Sequence, residues 1–144
     1  MFPLIQSLWN YNVYDETATR AVYEQIVRDA RRGEQSRSFA FVARKRGKAE
    51  HADGGGIIGF CHGDFFPTLW MCGKTCYLSG IITKDGERGR GVGAALLERV
   101  IALCRERGAK AVILESGLSR TEAHRFYKAH GFEKSCYGFE RTFA

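Results

Sequence analysis

The stretch from Cys76 to Leu97, CYLSGIITKDGERGRGVGAALL, limits more than any other what this chain can fold into. Its apolar run, Tyr77 to Thr83, has strand length and ends in β-branched residues. A polar loop, Lys84 to Glu87, interrupts it. Arg88-Gly89-Arg90-Gly91-Val92-Gly93 follows, and Ala94 begins a helical apolar pattern without a pause. Glycines this dense at a helix start let main-chain N–H groups converge on one point, where the helix dipole adds its positive end. Such a place suits a phosphate or pyrophosphate. Gly80, in mid-strand, is a second anomaly, since glycine there marks a bulge or a close backbone approach.

Two phosphate-loop readings fail on context. Gly89-x-Gly91-x-x-Ala94 fits the dinucleotide fingerprint, with Glu115 ending a later apolar run as a ribose-binding acid would. A dinucleotide loop, however, turns directly out of its strand, and here Lys84 to Glu87 intervene. Only 29 residues follow Glu115, too few for the repeated βαβ halves. Gly73-Lys74-Thr75 resembles the end of a P-loop, but position 68 is Thr rather than Gly and a strand follows instead of a helix.

The remaining pattern is Arg-x-x-Gly-x-Gly, Arg88 to Gly93, with strand before and helix after. In this the sequence resembles the GNAT family of acyl-CoA-dependent N-acetyltransferases. A second block, Leu114-Glu-Ser-Gly-Leu-Ser-Arg-Thr-Glu-Ala-His-Arg-Phe-Tyr127 and then Gly131-Phe132, resembles the family's final strand, helix and Tyr-x-x-x-Gly-Phe ending. The resemblance runs from about Phe39 to Phe143. It implies an α/β fold: a mixed, mostly antiparallel sheet with helices on both faces and a splayed central strand pair. One such domain would span 1–144, although the family's first strand is not evident before residue 10. Phe2 to Trp9, short and apolar, reads as one helical turn or an extended arm; either the chain starts late or Phe2 to Leu8 takes the role of that strand.

Composition narrows the class. A chain of 144 residues, 44% hydrophobic and 26% charged, reads as one soluble globular domain. No apolar run approaches membrane-spanning length, and Met1 is not followed by a basic segment and apolar core, so neither a transmembrane helix nor a signal peptide is expected. The five cysteines, Cys61, Cys72, Cys76, Cys104 and Cys136, form an odd, scattered set that suits a reducing cytoplasm. Their spacing, with His62, matches no usual zinc pattern, and no metal is expected. Charge is uneven. Arg20 to Lys48 holds nine basic and three acidic residues, while the rest carries thirteen of each. That segment is either a solvated helix face or a basic wall for an anionic acceptor. No interleaved aromatics or motif points to nucleic acid.

Along the chain, Asp15-Glu16-Thr17 offers an N-cap, and Ala18, Val22, Ile26 and Ala30 recur at spacing four before Gly33, which predicts an amphipathic helix. Tyr11 and Tyr23 either face a substrate or pack. Ser38 to Arg44 and Gly56 to His62 read as paired strands joined by a polar hairpin loop, Lys45 to Gly55. Phe65 to Met71 is a strand or a wall of the acceptor pocket. Val92, Ala95, Leu96, Val100 and Leu103 form a helical stripe ending at Gly108. Ala111 to Leu114 reads as a short strand buried on both faces, and Ser119-x-x-Glu122 as a capping box for a last helix to His130. Tyr137 to Phe143 reads as a closing strand.

The resemblance also implies site residues. Acetyl-CoA would place its pyrophosphate on main-chain N–H groups of Arg88, Gly89, Arg90, Gly91, Val92, Gly93 and Ala94. Its pantetheine would pair with Ile81, Ile82 and Thr83, and donors near Ile81 would form an oxyanion hole. Where relatives have Val-x-Pro this chain has Thr83-Lys84-Asp85, a change that main-chain binding tolerates. Tyr127 occupies the general-acid position, and a phenol of pKa about 10 is a fair match for a thiol of about 8.5. A packed helix tyrosine is the plain alternative, and His124 on the same face reads as structural. Arg120 stands where relatives carry a cofactor-contacting Asn. Many relatives have a glutamate where this chain has Ser79, which leaves Glu115 as the candidate base, with Asp64 and His62 behind it; a cap or salt-bridge role is Glu115's alternative. The acceptor would be a primary amine of a small molecule, or else a protein N-terminus or lysine. A non-catalytic acyl-CoA-binding domain is the alternative to an enzyme, and the resemblance leaves room for a homodimer.

Overall fold

In a computed structural model of the chain, residues 2–7, 15–45 and 56–143 are described. Tyr11 and the body of the polar connection, residues 46–55, lie outside them. The chain divides into two compact units, Met1–Ile113 and Leu114–Ala144.

The first unit opens with a helical turn, α1 (Phe2–Gln6), so the apolar start is not the family's first strand. Helix α2 (Glu16–Ala30) begins where expected, with the Asp15 carboxylate accepting the Ala18 N–H at 3.0 Å. It packs lightly: none of its residues is fully buried, and Val22 of the expected apolar stripe is 57% exposed. Then come β1 (Ser38–Arg44), β2 (Ile57–Thr68), β3 (Gly73–Thr83), α3 (Val92–Glu106) and β4 (Ala111–Ile113). The sheet order is β1-β2-β3-β4, antiparallel except for β3 with β4. That last pair is parallel because α3 is a crossover between them.

Adjacent strand residues point to opposite faces, and β2 places a helix on each. Phe60 packs with Ile5 of α1 and Ile82 of β3, with Phe2, Leu4, Tyr23 and Ala40 around them. Gly59, one residue earlier, faces α3, where a Cβ would come within 2.8 Å of Val92 Cγ1 and 3.0 Å of Leu96 Cδ1. Helix α3 buries Leu96, Leu97, Val100, Leu103 and Cys104. Ala95, expected in that stripe, is exposed. Leu97 and Cys104 belong to it instead, because a helix lying flat on a sheet buries a broad stripe rather than a single row. The C-terminal end of α3 is fastened by Arg107, which donates to the carbonyls of Ser36 (2.8 Å) and Gly33 (3.0 Å) and lies 4.9 Å over the Phe65 ring. Strand β4 is three residues long and only half-buried, not covered on both faces, because it is the sheet's edge. None of the described helices is long and apolar enough to cross a membrane.

The second unit is built on α4 (Thr121–Ala129). Its end matches expectation: Gly131 takes φ 82°, and the Phe132 N–H returns to the Tyr127 carbonyl at 3.0 Å. Its start does not. Arg120 is the N-cap and no side chain caps the helix, so the Ser119–Glu122 capping box is absent. The helix begins too late for it, which leaves Glu122 one position short of where a capping box needs it. Tyr137 to Phe143 is not a strand. The described part of this unit has no other strand for it to pair with, and Tyr137, Phe139 and Phe143 are exposed.

Candidate functional site

Strand β3 carries the bulge that Gly80 suggested. His62 of β2 pairs with Gly80, but the next residue, Gly63, pairs with Leu78, so Ser79 is the extra residue. Gly63 is needed opposite it: a Cβ there would collide with the Tyr77 carbonyl oxygen and come within 2.7 Å of Phe39 Cζ. Beyond the bulge, Ile81, Ile82 and Thr83 pair with Cys61, Phe60 and Gly59. Strand β4 pairs only with Thr75, Cys76 and Tyr77. From the bulge to Thr83, β3 therefore has a strand partner on one side only, among the described residues. Alternate main-chain groups on the other side can bind an extended ligand.

The segment 84–91 then turns into α3. Gly89 and Gly91 have φ 74° and 80°, with nothing within 4 Å of where a Cβ would stand. Gly91 is the N-cap of α3, and the Ala95 N–H is bonded to its carbonyl at 2.9 Å. The N–H groups of Val92, Gly93 and Ala94 precede the first intrahelical bond, as at every helix start. Open backbone, first-turn donors and the positive end of the dipole thus coincide, and Arg88 and Arg90 flank them, both exposed. Each arginine meets an acid, Arg88 with Asp85 at 2.9 Å and Arg90 with Glu87 at 3.2 Å.

On the face that carries α2, a groove of about 600 Å³ is lined by Gln25, Ile26, Ser38, His62, Asp64 and Phe66, among others. Among the residues that line it, His62 is the cross-strand partner of Gly80 at the bulge. Burial pushes the His62 imidazole below its ordinary pKa, against the pull of Asp64. The Asp64 carboxylate accepts the Ser38 hydroxyl at 2.6 Å. Of the apolar stretch expected as a strand or pocket wall, Phe66 lines this groove and Phe65 is buried, while Leu69 and Trp70 stand exposed in the turn. Burial pushes the Cys61 thiol up to about 12, and the Cys76 thiol is raised by its hydrogen bond with Cys104 and by burial.

In the second unit, Tyr127 is half-buried on α4, with Phe126 and Phe132 ring centroids 5.4 and 5.8 Å away. Burial raises its phenol above the ordinary value, and the Arg120 guanidinium opposes that. The His124 Nε2 and the Gly117 carbonyl are hydrogen-bonded at 3.0 Å. Glu115 is exposed, its carboxyl 3.7 Å from where a Cβ on Gly138 would stand.

The model of the acetyltransferase (GNAT) family matches residues 3–132. The chain belongs to that family. Solved structures share the fold at low identity. AAC(6')-Iy in complex with the bisubstrate analog CoA-S-monomethyl-acetylneamine is 21% identical, with a TM-score of 0.76 over 99% of this chain and 88% of the other. Glucosamine-6-phosphate N-acetyltransferase from Arabidopsis thaliana is 20% identical, at 0.67 over 93% and 82%. A transcriptional regulator from Bacillus halodurans C-125 is 23% identical, at 0.76 over 96% and 91%. No curated protein matches the sequence significantly.

GNAT acetyltransferases use acetyl-CoA, and the residues here fit it: the open glycine backbone and first-turn amides suit a pyrophosphate, and the one-sided stretch of β3 suits an amide-bearing arm. Three contributors went unpredicted. Gly59 and Gly63 were readable as strand glycines that mark close approach, spaced four apart on β2. Glu87 carried no such signal, because its partner Lys45 is 42 positions away.

Proposed function

We propose that this GNAT protein is an acetyl-CoA-dependent N-acetyltransferase acting on a primary amine of a small molecule. The observation that carries it is the loop 84–91, whose left-handed Gly89 and Gly91 lead straight into the free first turn of α3. In this reading the amides of Arg88 to Ala94 hold the pyrophosphate, aided by Arg120, and Ile81 to Thr83 pair with the pantetheine arm. Acetyl-CoA supplies an activated thioester. For direct attack by the amine on that thioester, main-chain donors near Ile81 would serve to stabilise the developing negative charge on the carbonyl oxygen. Tyr127 would give its phenolic proton to the departing thiolate and regain one from the nitrogen as the amide forms, so the second amine proton ends on the thiol. Glu115 takes the ammonium proton beforehand.

A second reading of the base is supported by the groove. His62 lies across from the bulge, burial favours its neutral form, and Asp64 could stabilise the imidazolium it would become. The groove is our choice for the acceptor. Small acceptors are consistent with the neamine analogue and glucosamine-6-phosphate named for two structural neighbours. Five free cysteines support a reducing, cytoplasmic setting.

The test is a screen of amines for release of free CoA, paired with calorimetric CoA titration of wild type and Gly91→Val. Valine at φ 80° is strained whatever the surrounding space. The variant should lose CoA binding while it stays folded. Unchanged affinity would sink the loop assignment, and tight CoA binding with no amine turned over would favour a non-catalytic acyl-CoA domain.

A further inference from the structure

The cofactor loop is loosely built. Besides Gly89 and Gly91, Gly86 is left-handed at φ 81°, and none of the three has an atom within 4 Å of a Cβ position. A hollow of about 280 Å³, lined by Lys45, Ile57, Ile58, Lys84, Gly86 and Glu87, among others, lies beside the loop. Glycines in open space leave a segment many conformations, and binding a ligand must then bear the ordering cost. Something has to hold this loop before the cofactor arrives.

Among the described residues, two long-range attachments hold it. The Lys84 N–H bonds the Ile58 carbonyl at 2.8 Å, at the very start of the loop. Further on, the Glu87 carboxylate bridges two bases: Oε1 meets Lys45 Nζ at 2.9 Å, and Oε2 meets Arg90 Nη1 at 3.2 Å. Its N–H also closes a turn onto the Lys84 carbonyl at 3.0 Å. The Asp85–Arg88 pair differs in kind. Asp85 is 85% exposed and its pair is local, so it contributes little, whereas Glu87 is 17% exposed and reaches across to the end of β1.

We infer that Glu87 is a positioning residue: by pinning the loop to Lys45 and aligning Arg90, it presets the main-chain cradle for the CoA pyrophosphate. The inference rests on assigning that loop to the cofactor. It makes a prediction opposite in sign to plain electrostatics. A carboxylate beside a pyrophosphate repels it, so on charge alone Glu87→Gln should tighten CoA binding and free Arg90 for the phosphate. If Glu87 positions the loop, the same variant should weaken binding.

The experiment is calorimetric titration of CoA into wild type, Glu87→Gln, Glu87→Lys, the exchange Lys45→Glu with Glu87→Lys, and Gly91→Val, with Tm measured on each. Positioning predicts that Glu87→Gln raises the CoA Kd about fivefold to tenfold with Tm nearly unchanged, through lost preorganisation. Glu87→Lys should weaken binding too, despite the added positive charge, and the exchange should recover part of the loss. In turnover the KM for acetyl-CoA should rise while kcat holds. Equal or tighter binding by Glu87→Gln, with Gly91→Val still defective, overturns this inference and leaves the loop assignment standing. Undiminished binding by Gly91→Val overturns both.

Discussion

Gly59 of β2 lies directly under the first turn of α3, so close to Val92 that a Cβ would stand 2.8 Å from Cγ1. The same position is 3.0 Å from Leu96 Cδ1 and 3.3 Å from the Ile82 carbonyl oxygen. The Leu96 methyl can swing aside; the β-branched Val92 and the carbonyl cannot. Gly59→Ala should therefore lift the N-terminus of α3 and destabilise the protein by about 1–3 kcal/mol, the usual cost of overpacking. Because that turn carries the cofactor donors, CoA affinity should fall more than stability alone explains. Denaturant melts and CoA titration on one preparation check both, and wild-type values would mean that α3 tolerates the shift.

What the sequence made legible is what depends on local pattern. The N-cap at Asp15, the bulge by Gly80, the glycine loop into α3 and the stop at Gly131 all follow from residue type within a few positions. What it hid depends on partners far along the chain. Gly63 is required by the Tyr77 carbonyl and the Phe39 ring, and Glu87 by Lys45. The alternation at Tyr137 to Phe143 has strand character, but a strand forms only where a neighbour is there to pair. The site divides the same way: the cofactor loop reads from spacing, while the groove is assembled from α2, β1 and β2 and has no motif of its own.

Asp29 ties the end of α2 to the start of β1. Its Oδ2 accepts the N–H groups of Ser38 (2.7 Å) and Arg37 (2.8 Å) and the Ser36 hydroxyl (3.0 Å). These bonds, that from the Ser38 N–H foremost, hold the carboxyl below its ordinary 3.8. A lowered folded value gives stability that is present above the unfolded pKa and is lost as pH falls through the folded one. Asp29→Asn should thus lower Tm at neutral pH, and the gap to wild type should close below pH about 3.8. A gap that persists unchanged in acid would assign the loss to packing instead.

If the basic segment steers an anionic acceptor, charge reversal on α2 should be felt at a distance. Arg31 and Arg32 are exposed at its end, and Arg32 lies only 3.6 Å from Asp29. Replacing both by Glu should raise the acceptor KM about twofold to tenfold at low salt and hardly change CoA affinity. The effect should fade as the Debye length shrinks to about 3 Å near 1 M salt. An acceptor KM indifferent to both mutation and salt leaves a solvated helix face.

The mechanism turns on the Tyr127 hydroxyl. Tyr127→Phe removes that group and almost no volume, and the contacts with Phe126 and Phe132 are made by the ring, so folding and CoA affinity should hold. A positioned general acid is worth about 10²–10⁴ in rate, and that loss should fall on kcat rather than on KM. The pH profile gives a second check. Burial raises the phenol above 10.0, so it keeps its proton throughout the neutral and mildly alkaline range. The wild-type rate should fall only above that ordinary value, as the acid ionises, and the limb should vanish in the phenylalanine variant. A tyrosine that merely packs predicts the reverse: a lower Tm with kcat intact in the folded fraction. Wild-type kcat with an unchanged alkaline limb would assign the proton to water or another side chain.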